Sequence, residues 1–227
     1  MGIDYTKRPD AAESTASGGP ISLTKVTLTK AAPTVSLTKQ GSSTGLLRVN
    51  LNWTARPPSS GIGLFKAKKA DAIDLDLGCL FEFVDGSKGV VQALGNRFEA
   101  RPLGMADKVI WLDGDDRSGK STGGENLFIN LAYTDRIKRI MVFALIYEGV
   151  ANWAAAAGVV TLYPVSGPQV EVHLDESRDG ARICGIAMLE QAGGDLSIRR
   201  EVNYINGSQS QLDEAYGWGM KWAPSHK

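Results

Sequence analysis

Two cysteines, two histidines and no apolar run of membrane-spanning length leave this 227-residue chain little to offer several large classes of function. Cys79 and Cys184 each sit inside an apolar run, so they read as buried, reduced thiols and argue against a secreted disulfide scaffold. Together with His173 and His226 they show no zinc-ligand spacing. A Ser-His-Asp hydrolase would have to rest on His173, because His226 is the penultimate residue. His173 alternates with Val172 and Leu174 as an ordinary strand residue does. No stretch approaches the ~20 apolar residues of a bilayer span, and the first residues lack the apolar segment of a signal peptide. An excess of one charge is missing too. The 25 Lys and Arg offset the 25 Asp and Glu, so no nucleic-acid partner is expected.

That neutrality conceals a gradient. Residues 1–70 carry ten basic against three acidic side chains, and residues 71–135 carry six against twelve, so the middle of the chain is where a cation would be held. Residues 1–20 are small and polar and read as a disordered tail, with a single domain over 21–227. From Ile21 onward the apolar pattern has the period of two that belongs to half-buried strands. A [ST]-Leu-Thr-Lys unit recurs at 22–25, 27–30 and 36–39, and LLRVNLNW follows at 46–53. Further strands are expected at 72–84 (AIDLDLGCLFEFV), 88–94, 108–112, 126–132, 136–148, 158–164, 169–175, 181–191 and 196–205, most of them bounded by Gly, Asp, Asn or Pro. Short helices are expected only at 151–157 and 211–216. The fold class is therefore all-β: a two-sheet β-sandwich with one or two short helices.

Between Gly114 and Ser121 the chain reads GDDRSGKS, which satisfies the phosphate-loop pattern G-x-x-x-x-G-K-[ST]. A phosphate loop must open a helix whose N-terminus holds the anion. Here Gly123 and Gly124 break any helix, and the apolar run after them alternates like a strand. Asp113, Asp115 and Asp116 would also set three carboxylates against the nucleotide's charge. The same residues, with Glu125 at the end of the loop, form the oxygen-rich set that calcium takes. The spacing is not that of an EF-hand, since Ser118 stands where the invariant glycine would be. Upstream, Asp74 and Asp76 are two apart and share one face of a strand, with Ile73, Leu75 and Leu77 on the other. The competing reading of these acids is a solvated strand face and a polar turn.

In order, spacing and residue type, VSLTKQG, LLRVNLNW, AIDLDLGCLFE, the GDDRSGKSTGGEN loop running into LFINL, and the terminal YGWGMKW resemble the tellurium-resistance TerD family of stress proteins. The resemblance runs from about residue 22 to the end. It implies a bacterial, cytoplasmic, calcium-binding β-sandwich, and it carries the family's acidic positions onto Asp74, Asp76, Asp115, Asp116 and Glu125. It is imperfect at Gly123 and Gly124, where the family has acidic residues, so fewer carboxylates are available for weaker or fewer calcium ions.

The function expected on these grounds is a non-enzymatic, monomeric calcium-binding stress protein, with Asp74, Asp76, Asp113, Asp115, Asp116 and Glu125 as the metal set. A second reading is a calcium-dependent adaptor that docks on a membrane or a protein complex through Lys66, Lys68 and Lys69. A third is a nucleotide-dependent enzyme using Lys120 and Ser121. Trp218 and Trp222, set among glycines near the end, serve either to close the sandwich or as a contact surface.

Overall fold

The period-two pattern folds into two packed sheets. The computed structural model describes residues 25–27, 34–36, 44–53, 73–114, 123–192 and 195–223. The expected tail, the Lys66, Lys68 and Lys69 patch, Asp115, Asp116, Lys120 and Ser121 lie outside the described residues. The strands are β1 (Lys25–Thr27), β2 (Thr34–Ser36), β3 (Leu46–Asn52), β4 (Asp74–Phe83), β5 (Lys88–Val91), β6 (Glu99–Ala100), β7 (Ile110–Leu112), β8 (Glu125–Asn130), β9 (Ile137–Glu148), β10 (Gly158–Tyr163), β11 (Gln169–Leu174), β12 (Ile183–Ala192) and β13 (Asp195–Ile205). One sheet runs β1-β11-β10-β3-β8-β7-β6 and the other β2-β13-β12-β9-β4-β5. Neighbours are antiparallel apart from β1 and β11. This is the all-β sandwich expected from the alternation.

The inner faces build the main core. Leu47, Val49 and Leu51 of β3 and Leu127 and Ile129 of β8 meet Leu75, Leu77 and Cys79 of β4 and Ile140, Val142 and Ala144 of β9. The outer face of the second sheet is covered as well. Leu80, Met141, Phe143, Leu145, Ile183 and Met188 pack against Leu212 and Trp218 from helix α2 (Gln209–Tyr216) and the segment after it. Burial on both faces explains why β9 reads as a continuous apolar run where a one-sided strand would alternate. Trp218 is fully buried, its indole N–H donating to the Phe81 carbonyl at 3.0 Å, so this tryptophan closes the fold.

Several boundaries differ from expectation for local reasons. Β5 stops at Val91, and the chain turns back through the Gln92–Arg97 bridge. Β8 ends at Asn130, whose side chain accepts from Ala132 N–H and starts a 3-10 helix (Leu131–Arg136) that the pattern did not announce. The alanine-rich helix α1 is a single turn (Trp153–Ala156), stopped by Ala157 in the left-handed region. Helix α2 begins two residues earlier than expected because Ser208 and Gln211 form a capping box. Both cysteines are free and buried, on different strands, and burial pushes both thiols well above their ordinary range. Among the described residues no helix is long and apolar enough to cross a membrane.

Candidate functional site

Strands β7 and β8 pair antiparallel, Ile110 with Ile129 and Leu112 with Leu127, so the acidic loop is the connection of a hairpin. Its two ends are fixed by different means. At the entry, Asp113 is held by Asn126: the Asn126 backbone N–H donates to Oδ1 at 3.1 Å and its side-chain amide donates to Oδ2 at 2.8 Å. At the exit, Asn50 of β3 donates its amide to the Gly123 carbonyl at 2.5 Å and to the Glu125 carbonyl at 3.3 Å. Gly124 has φ +63°, and a Cβ there would stand 2.1 Å from the Leu51 carbonyl oxygen, so only glycine lets the loop return this close to β3.

Glu125 lies on the inner face of β8 with Leu127 and Ile129, and its side chain crosses to the other sheet. Its Oε2 accepts the Leu77 backbone N–H of β4 at 2.7 Å. This edge N–H lies beyond the reach of β5, whose pairing with β4 begins at Cys79. One carboxylate thus ties the loop's exit to the strand that carries Asp74 and Asp76.

Those two aspartates project away from Leu75 and Leu77, on the outer face of β4, and are only 3% and 4% exposed. Glu125 is 2% exposed. The solvated-face reading of the acid pair is therefore excluded: these are buried carboxylates, which require compensation by hydrogen bonds or positive charge. A further acid of the same face, Glu82, receives Lys138 Nζ at 2.8 Å and Arg139 Nε at 2.7 Å. Burial pushes the Glu82 carboxyl up, but these two bonds and charges outweigh it and hold it below its ordinary value.

The structure brings Asp74, Asp76 and Glu125 to one end of the sandwich. Asp113 does not join them, because its carboxylate is turned to Asn126 on the outer face of the first sheet. Among the described residues, no three His, Cys, Asp or Glu side chains converge in a metal-holding group. Asn50 and Asn126, which the sequence reading passed over, position both ends of the loop. Their signal was asparagine inside the strand patterns LLRVNLNW and ENLFIN, where that residue is normally depleted.

Among the described residues no helix follows the apparent phosphate loop, since Gly124 leads straight into β8. His173 sits on β11 with its Nε2 2.7 Å from Glu171, on an exposed face.

No family model matches the chain. The tellurium resistance protein TerA of an Alcaligenes species is 40% identical over 209 residues, which takes in 91% of this chain. The chain spans about 60% of that relative's length. Among solved structures, a homologue of the telluride resistance protein TerD from Streptomyces coelicolor A3(2) has a TM-score of 0.53 and 19% identity, covering 74% of this chain and 95% of that one. That second likeness is one of fold.

Proposed function

We propose that this chain, similar to TerA over 91% of its length and sharing a fold with a TerD homologue, is a non-enzymatic, cytoplasmic calcium-binding protein of the TerD-like tellurium-resistance family. The observation that carries the reading is the burial of Asp74, Asp76 and Glu125 where the acidic hairpin loop meets β4. A set made of oxygen donors, with no thiolate or imidazole among them, suits a hard cation that takes carboxylates and backbone carbonyls. Asp74, Asp76 and Glu125 would supply ligands from the framework, and Asp115 and Asp116 would supply them from the loop. When bound, calcium offsets the repulsion among these carboxylates and orders the loop. Asn50 and Gly124 support this role by holding the loop's exit in place before any ion arrives.

Calorimetric titration of chelator-stripped protein tests the reading. Calcium should bind with a measurable heat, magnesium much more weakly, and the D115A/D116A variant should lose the calcium heat. A wild-type protein silent to calcium would overturn the proposal. An ATP heat that disappears in Lys120→Ala would replace it with the nucleotide reading.

A further inference from the structure

At the far end of β4 from the acid pair, the edge strand β5 and the chain segment after α2 line an open cleft of about 590 Å³. It is continuous with a smaller one of about 370 Å³ through Gln92, Leu94, Trp222 and Ala223. We propose that this cleft binds a small organic anion. A flat apolar body would lie among Phe81, Met220 and Trp222, and its carboxylate, phosphate or sulfonate would meet Lys88, Arg97 and Lys221.

Three observations support the assignment. The first is charge. Glu99 is the sole acid of the lining and is already paired with Arg101, whereas Arg97 and Lys221 have no ion-pair partner among the described residues. Lys88 donates to the Trp218 carbonyl, which leaves two of its three donors for a ligand. A concave surface with three cations and no uncompensated acid attracts anions.

The second is rigidity. Asp213, itself 4% exposed, accepts the Gly219 N–H at 2.7 Å, the Met220 N–H at 2.9 Å and the Trp222 indole N–H at 2.8 Å. The wall that Met220 and Trp222 form is therefore built before a ligand arrives. The base of the cleft is similarly fixed by a buried amide pair, Gln209 Nε2 donating to Gln92 Oε1 at 2.8 Å. A preformed wall spares the ligand the cost of ordering it.

The third is size. A bare inorganic oxyanion occupies the space of a few waters, each about 30 Å³, and would leave most of the cleft empty. Cavities of roughly 300–1,000 Å³ with mixed apolar walls and a few polar groups accommodate small organic molecules. Phe81 lies seven residues along β4 from Asp74, roughly 23 Å at the rise of a strand. The cleft thus lies far from the β4 acid pair, and chelator in the test buffer separates the proposal from calcium binding.

The test uses the full chain in chelator-containing buffer with anilinonaphthalene sulfonate, a flat aromatic sulfonate, against the uncharged N-phenyl-1-naphthylamine. The sulfonate should give saturable, one-site fluorescence that weakens with salt. In R97E/K221E its affinity should fall roughly tenfold or more, since two attractive rim charges become repulsive. The neutral probe should bind weakly and equally to both proteins. Absence of saturable binding, an unchanged affinity in the double variant, or a neutral probe that binds as tightly as the sulfonate would each overturn the proposal. Both positions are exposed, and Lys221→Glu alone supplies the same comparison should the double variant fail to fold.

Discussion

At the scale of single residues, two glycines with the same backbone angle separate conformational strain from steric exclusion. Gly124 and Gly217 both have φ +63°, but a Cβ on Gly217 meets nothing within 4 Å, whereas one on Gly124 runs into the Leu51 carbonyl at 2.1 Å. Gly217→Ala should therefore cost about 1 kcal/mol, the penalty of the left-handed region alone. Gly124→Ala should cost at least about 2 kcal/mol more, because β3 or the loop must move. Urea denaturation of both variants measures the difference. Glu82 gives a pH-dependent case. Its carboxyl titrates below its ordinary 4.5 in the fold, so the stability it contributes is fully present above that value. It is lost as pH falls through the lowered folded value. Glu82→Gln should lose about 1–2 kcal/mol at neutral pH, and the gap between variant and wild type should close as pH falls below the ordinary carboxylate range. Denaturation at a series of pH values checks the sign.

At the scale of elements, the unit of interest is α2 with the segment that follows it. Arg139 of β9 holds it from beneath: its guanidinium stacks on Trp218 at 3.9 Å and donates to the Tyr216 and Gly217 carbonyls at 3.1 and 3.2 Å. Asp213 holds it from within. The helix itself was legible, because QLDEAY has a helical composition and a glycine follows it. Its docking was not, since it depends on a carboxylate that meets two backbone N–H groups and an indole six to nine residues further on. Asp213→Ala should destabilise the protein by about 2–4 kcal/mol. It should also shift tryptophan emission to the red as Trp218 and Trp222 gain water. A stable variant with unshifted emission would mean that Trp218 packing alone secures the segment.

At the scale of the whole molecule, the sandwich brings together segments that are far apart in the chain. Asp76 and Glu125 are 49 positions apart, yet the Glu125 carboxylate sits on the N–H of the next residue of β4. If the loop holds calcium as proposed, the ion binds the folded state and not the unfolded chain. Chelator-stripped protein should then gain about 2.7 kcal/mol of stability at a hundredfold excess of calcium over its dissociation constant. A rise in melting temperature that D115A/D116A abolishes is the corresponding readout. The organic-anion cleft is likewise a product of the tertiary structure, since Lys88, Arg97 and Lys221 come from an edge strand, a turn and the chain's last described segment.

By itself the sequence determined the class of fold, most of the strands and the two short helices. Each of these follows from a local rule: period-two alternation, turn residues at strand ends, and a glycine after a helical stretch. Its resemblance to the tellurium-resistance family was also legible, in motifs that lie along one strand or one loop. Only the tertiary structure decided which acids are buried, that Asp113 turns to Asn126, and that Glu125 bridges the sheets. It also decided that the second sheet is covered on both faces and that three cations share a cleft. These outcomes depend on register and on how one sheet packs against the other. A pattern of period two states which residues share a face of a strand, but it carries no record of which strand will lie across from it.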